Sequence, residues 1–97
     1  MAGLERAYFV YIMTNKRNTV LYTGMTGDLR QRVCQHIQGS GGRFTGLYRA
    51  TKLIYYERHE TAYNAIAREK QIKAGSRAAK IRLIESINAD WRDLTRS

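Results

Sequence analysis

Tyr11, Tyr22, Arg32, His36 and Glu69 form an ordered set of side chains with the chemistry to cut a phosphodiester bond. Two phenols could help to activate water, although a phenol with an ordinary pKa of about 10 is a poor base at neutral pH. A neighbouring cation or metal would have to lower that value or relay the proton. The Arg32 guanidinium suits the charge that builds on a pentacovalent phosphate. His36, four residues further on, could position water or exchange a proton. The Glu69 carboxylate is enough to hold Mg²⁺, because that ion keeps several waters and takes further oxygens from a phosphate substrate.

Each of these residues also has an ordinary structural reading. A tyrosine in a strand is usually packing, and a histidine at a helix edge often bonds to backbone. Glu69 is the sharpest clue. From Arg68 to Arg82 it is the only acid among six basic residues, yet it falls on the apolar stripe of its segment. A carboxylate placed there needs a cation or donors beside it, so an internal ion pair with Arg32 is the structural alternative. His59 falls in a polar Arg58-His59-Glu60 loop and reads as a surface residue. Cys34 lies on the outer side of its helix with no activating base nearby in sequence.

The elements that must position this set are short. Tyr8–Met13 is aromatic and β-branched, and Val20–Thr26 resumes strand character after a polar turn. A hairpin closing symmetrically about Lys16-Arg17 places Tyr11 opposite Tyr22 and points both phenols the same way. Asp28 caps a helix whose apolar stripe runs Leu29, Val33, Ile37. At about 100° per residue, His36 sits roughly 60° and Arg32 roughly 100° from the centre of that stripe, both on one flank. Arg30 falls on the other flank. Gly39 to Gly42 ends the helix, and the stretch to Ala50 offers Arg43, Phe44, Tyr48 and Arg49 as charge and stacking surfaces. Leu53–Tyr56 reads as a third strand. Thr61 caps a second helix with an inner stripe of Ala62, Ala65, Ile66, Glu69 and Ile72, and Gly75-Ser76 stops it and caps a third. That third helix buries Ile81, Ile84 and Ile87. Trp91 and Leu94 are available to dock the tail.

Ninety-seven residues are read as a single domain, 1–97. Seventeen Lys and Arg against eight Asp and Glu give a net charge of +9, which calls for an anionic partner, foremost a nucleic-acid backbone. Lys70, Lys73, Arg77 and Lys80, with Arg43, are the expected phosphate-tracking residues. No apolar run approaches the roughly 20 residues that span a bilayer, so no membrane role is expected. One cysteine excludes an intramolecular disulfide, and one Cys with two His cannot build a zinc finger. A cytoplasmic setting is expected, and a P-loop is absent.

Taken in order, these residues resemble the GIY-YIG nuclease domain, in the manner of its small stand-alone bacterial members. Phe9-Val10-Tyr11 stands where GIY belongs and Tyr22-Thr23-Gly24 where YIG belongs; Arg32, His36 and Glu69 follow at family-like spacing. Phe9 replaces the first glycine. The resemblance implies an α+β fold with a three-stranded antiparallel sheet flanked by helices. It also implies metal-dependent hydrolysis of DNA, with RNA as the other candidate substrate, and Glu69 holding Mg²⁺ or Mn²⁺. Gly24 would let the backbone come close to the site, and Asn88 is the candidate counterpart of a late family asparagine. Without the separate DNA-recognition domain of larger members, preference for a DNA structure, or dependence on a partner protein or a second copy, is the expectation. The competing readings are a nucleic-acid-binding module without catalysis and a basic adaptor for an acidic protein.

Overall fold

The computed structural model describes residues 6–39 and 49–96. Strand β1 (Tyr8–Thr14) is buried without a break from Val10 to Thr14, the pattern of a central strand covered on both faces. Strands β2 (Leu21–Thr26) and β3 (Lys52–His59) pair with it antiparallel, giving the order β2-β1-β3. Helices α1 (Leu29–Gln38), α2 (Ala62–Ala74) and α3 (Arg77–Ile87) complete the α+β architecture expected from the sequence.

Period-two alternation divides the apolar residues between two cores. On one face Val10, Ile12 and Tyr55 meet Ala65 and Ile72 of α2 and Ile84 of α3. On the other, Tyr11, Met13 and Leu53 meet Val33 of α1. The helix boundaries follow the expected capping chemistry. Asp28 accepts from the Gln31 amide, Thr61 from Asn64 and Ser76 from Ala79. Gly39 closes α1 at φ 77°, a left-handed setting that favours glycine.

Several side chains stand elsewhere than the sequence pattern suggests. Tyr11 pairs with Gly24, and Tyr22 with Met13, so the hairpin is centred between Arg17 and Asn18, one residue beyond the symmetric closure. The turn itself is responsible. Asn15 Oδ1 accepts from the amides of Thr19 (2.8 Å) and Val20 (3.0 Å), and Asn18 takes a left-handed φ of 59°. Tyr11 and Tyr22 still share a face, because a shift of two positions preserves side-chain direction.

Ile37 is 51% exposed and His36 fully buried. Steps of four residues drift about 40° per step around a helix of 3.6 residues per turn, and by Ile37 the stripe has turned outward. Ile66 is also exposed, since the α2 seam runs through Ala65 and Ile72, and so is Ile87, one position from the inward line of Ile84 and Asn88. His59 belongs to β3 rather than to a loop.

The tail docks as expected, Trp91 on the first core and Leu94 on the second. Leu94 N donates to the Leu53 carbonyl (2.7 Å), and Leu53 N donates to Asp93 Oδ1 (3.3 Å). Asn88, 3% exposed, ends α3 and donates through Nδ2 to the carbonyls of Ile54 (3.0 Å) and Arg92 (2.8 Å). Its Oδ1 accepts from Arg92 N. These bonds make Asn88 a tie between α3, β3 and the tail. Ile54 itself is the extra residue of a register shift opposite Ile12 and Met13.

Candidate active site

Adjacent strands deliver Tyr11 and Tyr22 to the α1 face of the sheet, and α1 delivers Arg32 and His36 onto them. The three rings form a triangle. Centroid separations are 6.3 Å for Tyr11–Tyr22, 5.6 Å for Tyr11–His36 and 5.0 Å for Tyr22–His36. Arg32 Nε donates to the Tyr11 hydroxyl at 3.2 Å, and Arg32 Nη1 donates to Gln35 Oε1 at 3.0 Å. The Tyr11 hydroxyl also shares a hydrogen bond with His36 Nε2, 3.1 Å away.

Gly24 makes this arrangement sterically possible. A Cβ at that position would lie 2.5 Å from the Tyr11 hydroxyl oxygen and 2.7 Å from Cζ. The phenol therefore lies across the bare backbone of its cross-strand partner. The close backbone approach expected at Gly24 is present, and the group that approaches is Tyr11.

Burial sets the protonation states. Tyr11, 1% exposed, is pushed up to about 12 by desolvation, with the Arg32 hydrogen bond pulling the other way. His36 is lowered to about 4, first by burial and then by the Arg32 charge. At neutral pH the pair is thus a phenol against a neutral imidazole, beside a fixed cation. His36 Nδ1 is buried and finds no partner among the described residues. An unsatisfied buried polar atom costs stability, and a catalytic role is one of the reasons such atoms persist.

Glu69 lies on α2, which packs across β1 and β2. Its charge is near enough to contribute, as the smallest of the named causes, to the raised Tyr11 pKa. Its ion-pair partner is Lys73, one turn on, with Nζ 2.9 Å from Oε2. The expected structural alternative, a pair with Arg32, is not the one formed: Arg32 is engaged with Tyr11 and Gln35. Among the described residues no three of His, Cys, Asp and Glu cluster as a metal cage. A lone, partly exposed carboxylate fits Mg²⁺ or Mn²⁺ with a largely water shell, and does not fit an ion that needs several protein ligands.

The expected phosphate-tracking residues divide. Lys70 and Arg77 are exposed. Lys73 is exposed but paired with Glu69. Lys80 Nζ donates to the carbonyls of Gly75 (2.9 Å) and Lys73 (3.4 Å), tying down the end of α2. Arg43 lies outside the described residues.

A second polar cluster goes beyond what the sequence pattern leads one to expect. Glu57 takes hydrogen bonds from Tyr55, from His59 (2.7 Å) and from Arg68 Nε (2.8 Å). Burial opposes ionisation of Glu57, but these three bonds outweigh it and hold the carboxyl below its usual range. The available signal is the period-two spacing of Tyr55, Glu57 and His59, which sets all three on one face of β3. His59 is accordingly a half-buried member of this cluster, not a loop residue.

Against known families, the model of the GIY-YIG catalytic domain matches residues 7–82. The chain belongs to the GIY-YIG family. This nuclease superfamily acts on nucleic acid and is generally dependent on a divalent metal. Among GIY-YIG relatives, a UPF0213 protein of Staphylococcus aureus is 39% identical over 79 residues, spanning 81% of this chain and 95% of the relative. One from Staphylococcus saprophyticus is 36% identical over 77 residues, spanning 79% and 93%. The solution NMR structure of the UPF0213 protein BH0048 from Bacillus halodurans superposes with a TM-score of 0.59 at 26% identity, covering 93% of this chain and 95% of that one. Among the described residues of this GIY-YIG chain, no helix is long and apolar enough to cross a membrane.

Proposed function

We propose that this protein is a divalent-metal-dependent endonuclease that hydrolyses phosphodiester bonds in DNA, selecting structure rather than sequence. The observation that carries the reading is the hydrogen-bonded line Arg32–Tyr11–His36 under Tyr22, on a chain whose net charge is +9. Such a line holds a guanidinium in fixed orientation where a phosphate would meet it.

Exposure divides the labour. Tyr11 and His36 are closed off, whereas Tyr22 and Arg32 are only partly covered. Burial raises Tyr11 to about 12 and lowers His36 to about 4, so both groups resist the charged forms that moving the Tyr11 proton to His36 would create. Tyr11 is therefore no resting phenolate. It acts as a positioning residue that aligns Arg32, with His36 fixing the Tyr11 hydroxyl in turn. Arg32 is the group that stabilises charge on the scissile phosphate. Tyr22 is the phenol that meets the attacking water. Glu69 would hold Mg²⁺ or Mn²⁺, whose charge polarises the phosphate, and Lys73 exchanges its carboxylate contact for the substrate backbone. Lys70 and Arg77 carry the DNA on either side.

One observation favours a second reading, a DNA-binding module without cleavage: Glu69 is already neutralised by Lys73 at 2.9 Å. Both are tested by incubating the protein with single-stranded, duplex and branched DNA and with RNA, in Mg²⁺, Mn²⁺ or EDTA. Glu69→Gln, Tyr22→Phe and Tyr11→Phe proteins run alongside, with folding and binding checked. Metal-dependent cleavage lost in Glu69→Gln is the expected result. Salt-sensitive binding with no cleavage under any condition would establish the binding module instead.

A further inference from the structure

Helix α2 presents an uneven inner surface. Its buried residues are Ala65 and Ile72 alone, two turns apart, and Ala65 has almost no side chain with which to resist rotation. So thin a seam leaves the roll of the helix about its own axis weakly determined by apolar packing. The residues flanking the seam are Arg68 and Glu69. At about 100° per residue they fall on opposite sides of it, each roughly 50° from the line through Ala65 and Ile72. Arg68 reaches toward β3, where Glu57 accepts from its Nε at 2.8 Å while also binding Tyr55 and His59. Arg68 Nη1 is fixed as well, donating to Gln71 Oε1 on its own helix at 2.8 Å. Glu69 faces the opposite flank, within electrostatic reach of Tyr11.

We propose that Glu57 and Arg68 are positioning residues: their ion pair on one flank of α2 sets the roll of the helix and thereby fixes where the Glu69 carboxylate sits on the other. The placing of a metal-holding carboxylate beside Tyr11 rests on the function proposed above; the roll lock does not. Three donors on Glu57 make the anchor stiff, because Tyr55 and His59 also hold the carboxylate that Arg68 meets. The adjacency of Arg68 and Glu69 in sequence transmits the setting over a single peptide bond.

The test uses ¹⁵N-labelled wild-type, Arg68→Met, Glu57→Gln, Arg68→Lys and Glu69→Gln proteins in weak alignment. Residual dipolar couplings along α2 vary with helical period, and the phase of that wave reports the roll. Mn²⁺ broadening of amide signals, titrated without DNA, reports the metal site independently of cleavage. The expected result is a displaced phase in Arg68→Met and Glu57→Gln, partly restored in Arg68→Lys. The Mn²⁺ midpoint should rise about tenfold in the first two, the low end of what is lost when groups orienting a metal ligand are removed. A phase identical to wild type in both Arg68→Met and Glu57→Gln overturns the lock, whatever the metal does. Wild-type Mn²⁺ broadening that persists unchanged in Glu69→Gln overturns the metal assignment instead, and the phase still decides the lock. Should Arg68→Met fail to fold, the phase in the near-isosteric Glu57→Gln decides the lock by the same criterion.

Discussion

Replacing Gly24 with alanine tests whether the Tyr11 site is built on a missing side chain. The new Cβ would meet the Tyr11 hydroxyl oxygen at 2.5 Å, Cζ at 2.7 Å and Cε1 at 3.1 Å. Tyr11 cannot swing aside freely, being buried and hydrogen-bonded to both Arg32 and His36. Overpacking of this kind costs about 1–3 kcal/mol, and the smaller freedom of an unfolded alanine returns about 0.4–1 kcal/mol. The net loss should be about 1–2 kcal/mol, a fall in Tm on the order of 10 °C for a domain of this size. Gly27→Ala is the internal control. Its Cβ would find only Tyr8, no nearer than 3.8 Å, so stability should hold or rise. Thermal and urea unfolding of both variants, repeated in a Tyr11→Phe background, separates the clash from backbone effects. Deleting the phenolic oxygen removes the closest contact, so Gly24→Ala should cost about 0.5–1 kcal/mol less there. Equal costs in the two backgrounds, or a Gly24→Ala protein as stable as Gly27→Ala, would refute the reasoning.

The His36 pKa predicts acid sensitivity of definite sign. With the folded value near 4 and the ordinary value 6.5, the unfolded chain binds the proton first. The stability contributed by neutral His36 is complete above about pH 6.5 and is lost as pH falls toward 4, by about 3 kcal/mol in all. Urea unfolding from pH 7 to 4 should therefore show a steeper loss in wild type than in His36→Leu, and parallel curves would argue against it. Asn88→Ala removes three side-chain bonds, one to Ile54 and two to Arg92, and should destabilise by about 2–3 kcal/mol while leaving any cleavage intact at low temperature. Lys70→Ala and Arg77→Ala should each weaken DNA binding and reduce the slope of log K against log salt by about one, as a single phosphate contact does; titrations at several salt concentrations read this directly.

What the sequence displays is what is decided locally. Strand composition, the caps at Asp28, Thr61 and Ser76, and the stop at Gly75 depend on neighbouring residues, and all are found in the fold. The grouping of Tyr11, Tyr22, Arg32 and His36 is also legible, because one hairpin and one short helix directly after it leave little room for other placements. The register is not, since it rests on Asn15 folding its side chain over the turn. Glu69 pairs with Lys73 instead of Arg32 because Lys73 stands four residues on along the same helix, a spacing visible in the sequence that needs no tertiary contact. The Glu57 cluster joins residues from β3 and α2 whose meeting depends on how a helix crosses a strand, which periodicity within either element does not encode.

The docked tail has a consequence for how molecules of this protein meet one another. β3 is an outer strand, and an outer strand offers unpaired amides and carbonyls as a template on which a second chain can extend a shared sheet. At the start of β3 the tail already occupies both outward groups of Leu53, and Asn88 takes the carbonyl of Ile54. An extra residue at Ile54 breaks the even spacing that an incoming strand would need. The residues from Asn88 to Leu94 thus serve as a guard against edge-to-edge aggregation, and loosening them should promote self-association through β3.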